Sequence, residues 1–148
     1  MSSTHPDAGM LAVARVRAVR ERDSRLGLQQ AINEQRRYET HLVELGRRLD
    51  EALRFDGGTV ASFLHVRAGY RALTEEIVAA TADLQTARNI TESARQHWQR
   101  DKTRLSAVEL LLERRGDERR TELRRREDRE LDDIAAQRWQ RQHGGDAA

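Results

Sequence analysis

Five histidines, His5, His41, His65, His97 and His143, are the residues best suited to acid–base or metal chemistry, and they are scattered without ligand spacing. No cysteine accompanies them, so neither a disulfide framework nor a thiolate metal site is open to the chain. The phosphate-binding GxxxxGK[ST] loop, HExxH, CxxC and GxSxG are all missing. A catalytic centre and a cofactor are therefore not expected. Two further features could make contacts instead of reactions. His97 and Trp98 precede the basic residues Arg100, Lys102 and Arg104, and an aromatic in that setting serves either as a core filler or as a contact anchor. Arg114 to Arg129 is rich in arginine but balanced by Glu113, Asp117, Glu118 and Glu122, which reads as a solvated single helix or as a docking helix.

The elements that position these residues are set by a seam. Phe63, Val66, Tyr70, Leu73, Ile77, Ala80, Leu84, Ala87, Thr91, Ala94, Trp98, Asp101, Leu105, Val108 and Leu112 follow one another three and four residues apart. A mean spacing of about 3.5 residues lines one stripe of a helix and makes it follow a partner helix. Thr91 and Asp101 interrupt the stripe, either to fix register or to leave a weak point. An earlier segment is apolar at Val13, Val16, Val19, Leu26, Leu28 and Ile32. Its register is clearest at Gln35, Tyr38, Leu42, Leu45, Leu49 and Ala52, and Ser24, Gln29 and Gln30 blur it upstream.

The predicted organisation is an all-α antiparallel two-helix coiled-coil hairpin with an extended C-terminal helix. Residues 1–9, with the single proline Pro6, form a disordered arm; helix 1 covers about 10–55, a turn 56–58 and helix 2 about 59–141; residues 142–148 form a flexible tail. Gly57 and Gly58 supply the chain reversal, and Thr59 is placed to cap the second helix. Helix 2 outruns helix 1, so the segment from Ser106 to Arg141 is expected to lack a partner within the hairpin.

Composition narrows the function. The chain is 35% charged and 4% aromatic, which is too little apolar material for an ordinary globular core, while periodicity argues against disorder. The 27 basic and 25 acidic residues are intermixed, whereas a nucleic-acid binder carries a one-signed face. No apolar run reaches the roughly 18 residues of a membrane span, and a cytoplasmic location is expected.

Two short blocks narrow it further. WQRDKTRL, Trp98 to Leu105, resembles the Trp-x-x-x-Lys-x-Arg-Leu block of the FliJ family, the stalk proteins of bacterial flagellar type III export, through Trp98, Lys102, Arg104 and Leu105. RELDDIAAQR, Arg129 to Arg138, resembles that family's C-terminal signature, with Asp132 and Asp133 as its acidic pair. The resemblance implies a hairpin whose ends enter a hexameric export ATPase and favour ring assembly, while the hairpin engages a membrane-embedded export gate. It further implies export chaperones as partners, no enzymatic activity, and a peripheral position at the cytoplasmic face of the inner membrane, while the mixed charge separately argues for no nucleic acid as partner. Carried over by position, the gate contacts would be Leu42, Leu45, Leu49, Tyr70, Leu73 and Ile77, which sit equally well in the hairpin core. The ATPase contacts would be Arg124, Arg125, Arg126, Leu131 and Ile134. This chain has leucines where the family commonly places tyrosines on the first helix. The equivalent stalk of a virulence injectisome and a generic coiled-coil scaffold are the alternative readings.

Overall fold

The computed structural model describes residues 6–54 and 57–144. Two helices, α1 (Ala8–Leu53, 46 residues) and α2 (Val60–His143, 84 residues), pack against each other as a helical hairpin, with no strand among the described residues. At about 1.5 Å per residue they are roughly 70 and 125 Å long. No proline follows Pro6, so nothing interrupts either backbone ladder.

The ends of the helices have local causes. The carbonyl of Asp7 accepts from the Leu11 amide at 2.8 Å and starts α1. Between the helices Gly57 has a φ of 116° and Gly58 a φ of 152°, values that a side chain resists. Thr59 then caps α2: its Oγ1 accepts from the Ser62 amide at 3.2 Å, and its carbonyl accepts from the Phe63 amide at 3.0 Å. Asp56, placed by the sequence in the turn, lies outside the described residues, as do Phe55 and residues 145–148. At the far end Gly144 donates to the Gln140 carbonyl at 2.7 Å, where an added Cβ would stand only 2.7 Å from that oxygen. Arg141 and His143 lie in the last turn, where positive charge favours the helix dipole.

The chain forms two compact units. The first to consider, Arg17–Arg104, holds most of the buried seam. Leu45 is fully buried, Leu73 and Ala80 join it in one cluster, and Leu42, Leu49 and Ile77 pack around them. Leu84 and Ala87 continue the stripe, and the buried Thr91 donates to the Ala31 carbonyl at 3.2 Å. Its hydroxyl thus ties the two helices in one register instead of marking a place where they open. Cross-helix ion pairs between His41 and Glu76 and between Arg88 and Glu39 are long, at 3.9 and 4.0 Å, and exposed, so they add little. Within α1, Arg47 holds both Glu44 and Glu51, and its hydrogen bond to Glu44 keeps that carboxyl below the usual carboxylate range.

The seam departs from the sequence reading in three places. Phe63 and Tyr70, read as seam residues, are 57% and 40% exposed; Val66 is half-buried as expected, and Ser62 takes the inward position before it. In the first half of α1 the inward positions are Ala14, Arg17, Glu21, Ser24, Leu28 and Ala31, while Val13, Val16, Val19 and Leu26 face solvent. Ser24 therefore belongs to the seam. Its side chain is buried because Oγ donates to the Glu21 carbonyl at 3.1 Å. Three-four spacing favoured these polar positions over the more apolar ones beside them, since only they continue the stripe through Gln35, Tyr38 and Leu42.

The second unit joins Met1–Val16 to Leu105–Ala148. Leu105, Val108 and Leu112 are half-buried, and Asp7 is held by Arg115 at 3.3 Å and Arg119 at 2.5 Å. Asp7 is 4% exposed and α1 begins at Ala8, while residues 1–5 of the expected arm lie outside the described residues. These contacts also shorten the unpartnered part of α2. It begins near Leu123 and not at Ser106, and every described residue from Leu123 onward is exposed. The length estimate missed this because it assumed that the start of α1 ends the pairing, whereas Asp7 reaches further along α2 through two long arginine side chains.

Burial alone would raise the pKa of Asp7, but the hydrogen bonds and charges of Arg119 and Arg115 outweigh it and hold the carboxyl below its ordinary value. A depressed folded-state pKa gives stability that is complete above the ordinary value of about 3.9 and is lost as pH falls from there through the folded-state value. Asp7→Asn should therefore melt at a lower temperature than the parent at neutral pH. The gap should close below about pH 4, read by circular dichroism at both pH values; a gap that is constant with pH would remove the ion pair as its cause.

Candidate functional site

The two blocks singled out in the sequence occupy different environments. Trp98 is half-buried in the seam, and its indole Nε1 donates to Glu21 Oε1 across the hairpin at 2.8 Å. Glu21 is itself 13% exposed and lies 3.9 Å from Arg25. Lys102 Nζ stands 4.9 Å from the centre of the Trp98 ring, within cation–π range. Asp101, buried at an inward position, faces His97 at 3.4 Å and Arg104 at 3.8 Å. Glu21, Trp98 and Lys102 thus form one set of polar contacts and His97, Asp101 and Arg104 a second, and Leu105 is half-buried. An open groove there is lined by small residues such as Ser24, Gly27, Ala31 and Ala94 together with the charged or polar Arg20, Asp23, His97, Asp101 and Arg104.

Glu21 was missed in the sequence because a charged residue carries no seam signal of its own. Only its place in the series Ala14, Arg17, Glu21, Ser24 gives it away, and that register becomes visible by counting back from Leu42. Removing it should be felt at Trp98. In a Trp139→Phe background, Glu21→Ala should shift Trp98 emission to the red and cost about 1 to 3 kcal/mol, because a half-buried donor loses its acceptor. Unchanged emission and stability would show that water replaces the carboxylate without loss.

The second block is solvated. Leu131 and Ile134 are 64% and 47% exposed, and Asp132 and Asp133 form no ion pair among the described residues. Trp139, which sequence reasoning left aside, is 61% exposed and stacks on His143 with ring centres 4.7 Å apart. Of the three arginines upstream, Arg126 pairs with Glu122 at 3.3 Å, while Arg124 and Arg125 are exposed. Leu131, Ile134 and Trp139 thus leave apolar surface exposed along the described end of α2.

The six residues carried over as gate contacts divide. Leu45 and Leu73 are buried, and Leu42, Leu49 and Ile77 pack on them, so these five hold the two helices together. Tyr70 alone is presented to solvent, in a helix end that also exposes Val60, Phe63 and Leu64, with Leu53 exposed at the close of α1.

Among the described residues no group of three or more histidine, cysteine or acidic side chains is arranged to hold a metal ion. No helix there is long and apolar enough to cross a membrane. No curated protein and no solved structure matches the chain. The model of one protein family, described as the flagellar FliJ protein, does match, over residues 9–144. That span takes in both helices, the turn and both blocks, so the chain belongs to the FliJ family, the stalk proteins of flagellar type III export.

Proposed function

We propose that this protein is the non-enzymatic stalk of an export apparatus, and that the exposed end of α2 is the part that enters the ring of a hexameric export ATPase and promotes its assembly. The observation that carries this reading is the state of residues 123–143, which continue as helix beyond their partnered stretch and expose Leu123, Leu131, Ile134 and Trp139. Arg124, Arg125 and Arg126 lie at the root of that segment and would meet acidic groups at the ring's entrance. At the root of the segment Arg126 pairs with Glu122 four residues away, which supports the helix there by about 0.2 to 0.5 kcal/mol.

The export gate takes the other end. Tyr70 with Phe63, Leu64 and Val60 provides apolar and aromatic surface near the turn that the hairpin core does not use. Leu42, Leu45, Leu49, Leu73 and Ile77 act there indirectly, by holding the helices that present it. The stalk would then lie peripherally at the cytoplasmic face of the inner membrane, linking ATP hydrolysis to the gate.

The test is to add the full chain to the export ATPase and count rings by electron microscopy while following hydrolysis. More rings and faster hydrolysis are expected; an ATPase indifferent to the chain would contradict the proposal.

A further inference from the structure

The outer face of α1 near its start is apolar, which inverts the usual arrangement of a hairpin helix. Val13, Val16 and Val19 are 45%, 55% and 59% exposed, while the face turned to α2 carries Met10 and Ala14 followed by Arg17, Glu21 and Ser24. Arg15, Arg20 and Arg22 border the valines, and none of the three has an ion pair among the described residues. The result is a short apolar strip with a basic margin, directed away from its own partner helix.

A matching surface exists on the same molecule. In the exposed end of α2, Glu127, Asp128, Glu130, Asp132 and Asp133 surround Leu131 and Ile134, with Arg129 as the one basic residue between Glu127 and Ile134. Nearer the start of the segment, Asp117, Glu118 and Glu122 are each held by an arginine three or four residues away. The acids from Glu127 to Asp133 have no such partner among the described residues, so their charge is available to another chain.

We infer that the outer face of α1 around Val13 and Val16 receives the acidic Leu131–Ile134 segment of a second copy of this chain. The two valines meet Leu131 and Ile134, and Arg15 meets the acids beside them. Val13, Arg15, Val16 and the acidic segment belong to one compact unit, so an antiparallel pair related by a two-fold axis makes the contact twice and closes on itself. The strip is short, so each contact falls below the roughly 1,200 Å2 of stable assemblies, and the association is a weak, reversible one. Its consequence is a stored form in which the tail is covered by a sister molecule until a stronger partner removes it.

The experiment uses the protein alone. Analytical ultracentrifugation of the parent chain should show a monomer–dimer equilibrium in the micromolar range, weakened by added salt because exposed charges are screened. The variant Arg15→Glu and the variant Asp132→Arg/Asp133→Arg should each remain monomeric, at least tenfold weaker than the parent. Mixed in equal amounts they should dimerise again, since each then offers the charge that the other lacks at both contacts. Val16→Asp should lose dimerisation with its helix content unchanged. A parent chain that stays monomeric, charge variants that dimerise normally, or a mixture that does not recover would each overturn the inference. So would a monomer whose Val16 face instead binds phosphatidylglycerol vesicles, which would give that face to a lipid surface.

Discussion

A chain ended after Glu122 should keep its paired helices and lose its effect on the export ATPase entirely. The cut leaves the clasp of Asp7 with Arg115 and Arg119 in place, together with the half-buried Leu105, Val108 and Leu112. It removes the exposed residues from Leu123 to His143, about 30 Å of helix. Helix content per residue and melting temperature should therefore change little, since surface positions away from packed features contribute within about 0.5 kcal/mol. Ring formation and stimulated hydrolysis should fall to the level of the ATPase alone. If the shortened chain stimulates as well as the parent, the tail is not the part that enters the ring. A substitution of Arg124, Arg125 and Arg126 by glutamate should act in the same direction but less completely, with its effect largest at low salt.

The largest effect on stability is expected at Leu45, the one large side chain among the described residues that is fully buried. Leu45→Ala should cost about 2 to 5 kcal/mol through lost transfer energy and the cavity left between Leu73, Ala80 and their neighbours. Total stabilities lie near 5 to 15 kcal/mol, and the other buried apolar residues among those described are Leu73, Ala80, Leu84 and Ala87. Thermal melting should fall by about 10 °C or more. Val43→Ala, two residues away but 74% exposed, serves as the control and should change the melting temperature by only a degree or two. Equal effects at the two positions would mean that the seam is not where the helices meet. Because Leu45 was also a candidate for gate contact, a loss of gate binding on its replacement would report unfolding; Phe63→Ser, at an exposed position, separates the two causes.

The fold was legible because a heptad-like repeat is a local signal. From Leu73 to Leu112 the inward residues follow from counting threes and fours, and Gly57, Gly58 and Thr59 announce the reversal by their backbone needs. The start of α1 was harder to read because hydrophobicity and register disagree there. Val13, Val16 and Val19 attract the eye, yet the continuous stripe runs through Arg17, Glu21 and Ser24. Phe63 and Tyr70 misled for the related reason that aromatic residues near a helix end fit a seam and an exposed contact surface equally well. Asp7 and Glu21 depend on partners 108 and 77 residues away, and no local pattern in the sequence encodes a contact at that separation. In the candidate site, Trp98 and Lys102 were recognisable from their block, but which of them is packed and which is presented required the other helix.

Chemical crosslinking tests the central claim most directly, and the chain suits it because it contains no cysteine. A single cysteine introduced by Ile134→Cys, at a half-exposed position on the free segment, carries a short-range photoreactive group; Phe63→Cys carries the same group near the turn. With the ATPase and a soluble fragment of the gate both present, the first should crosslink to residues lining the centre of the ATPase ring and the second to the gate. The opposite pattern, or an Ile134→Cys chain that promotes ring formation without crosslinking to the ATPase, would contradict the account.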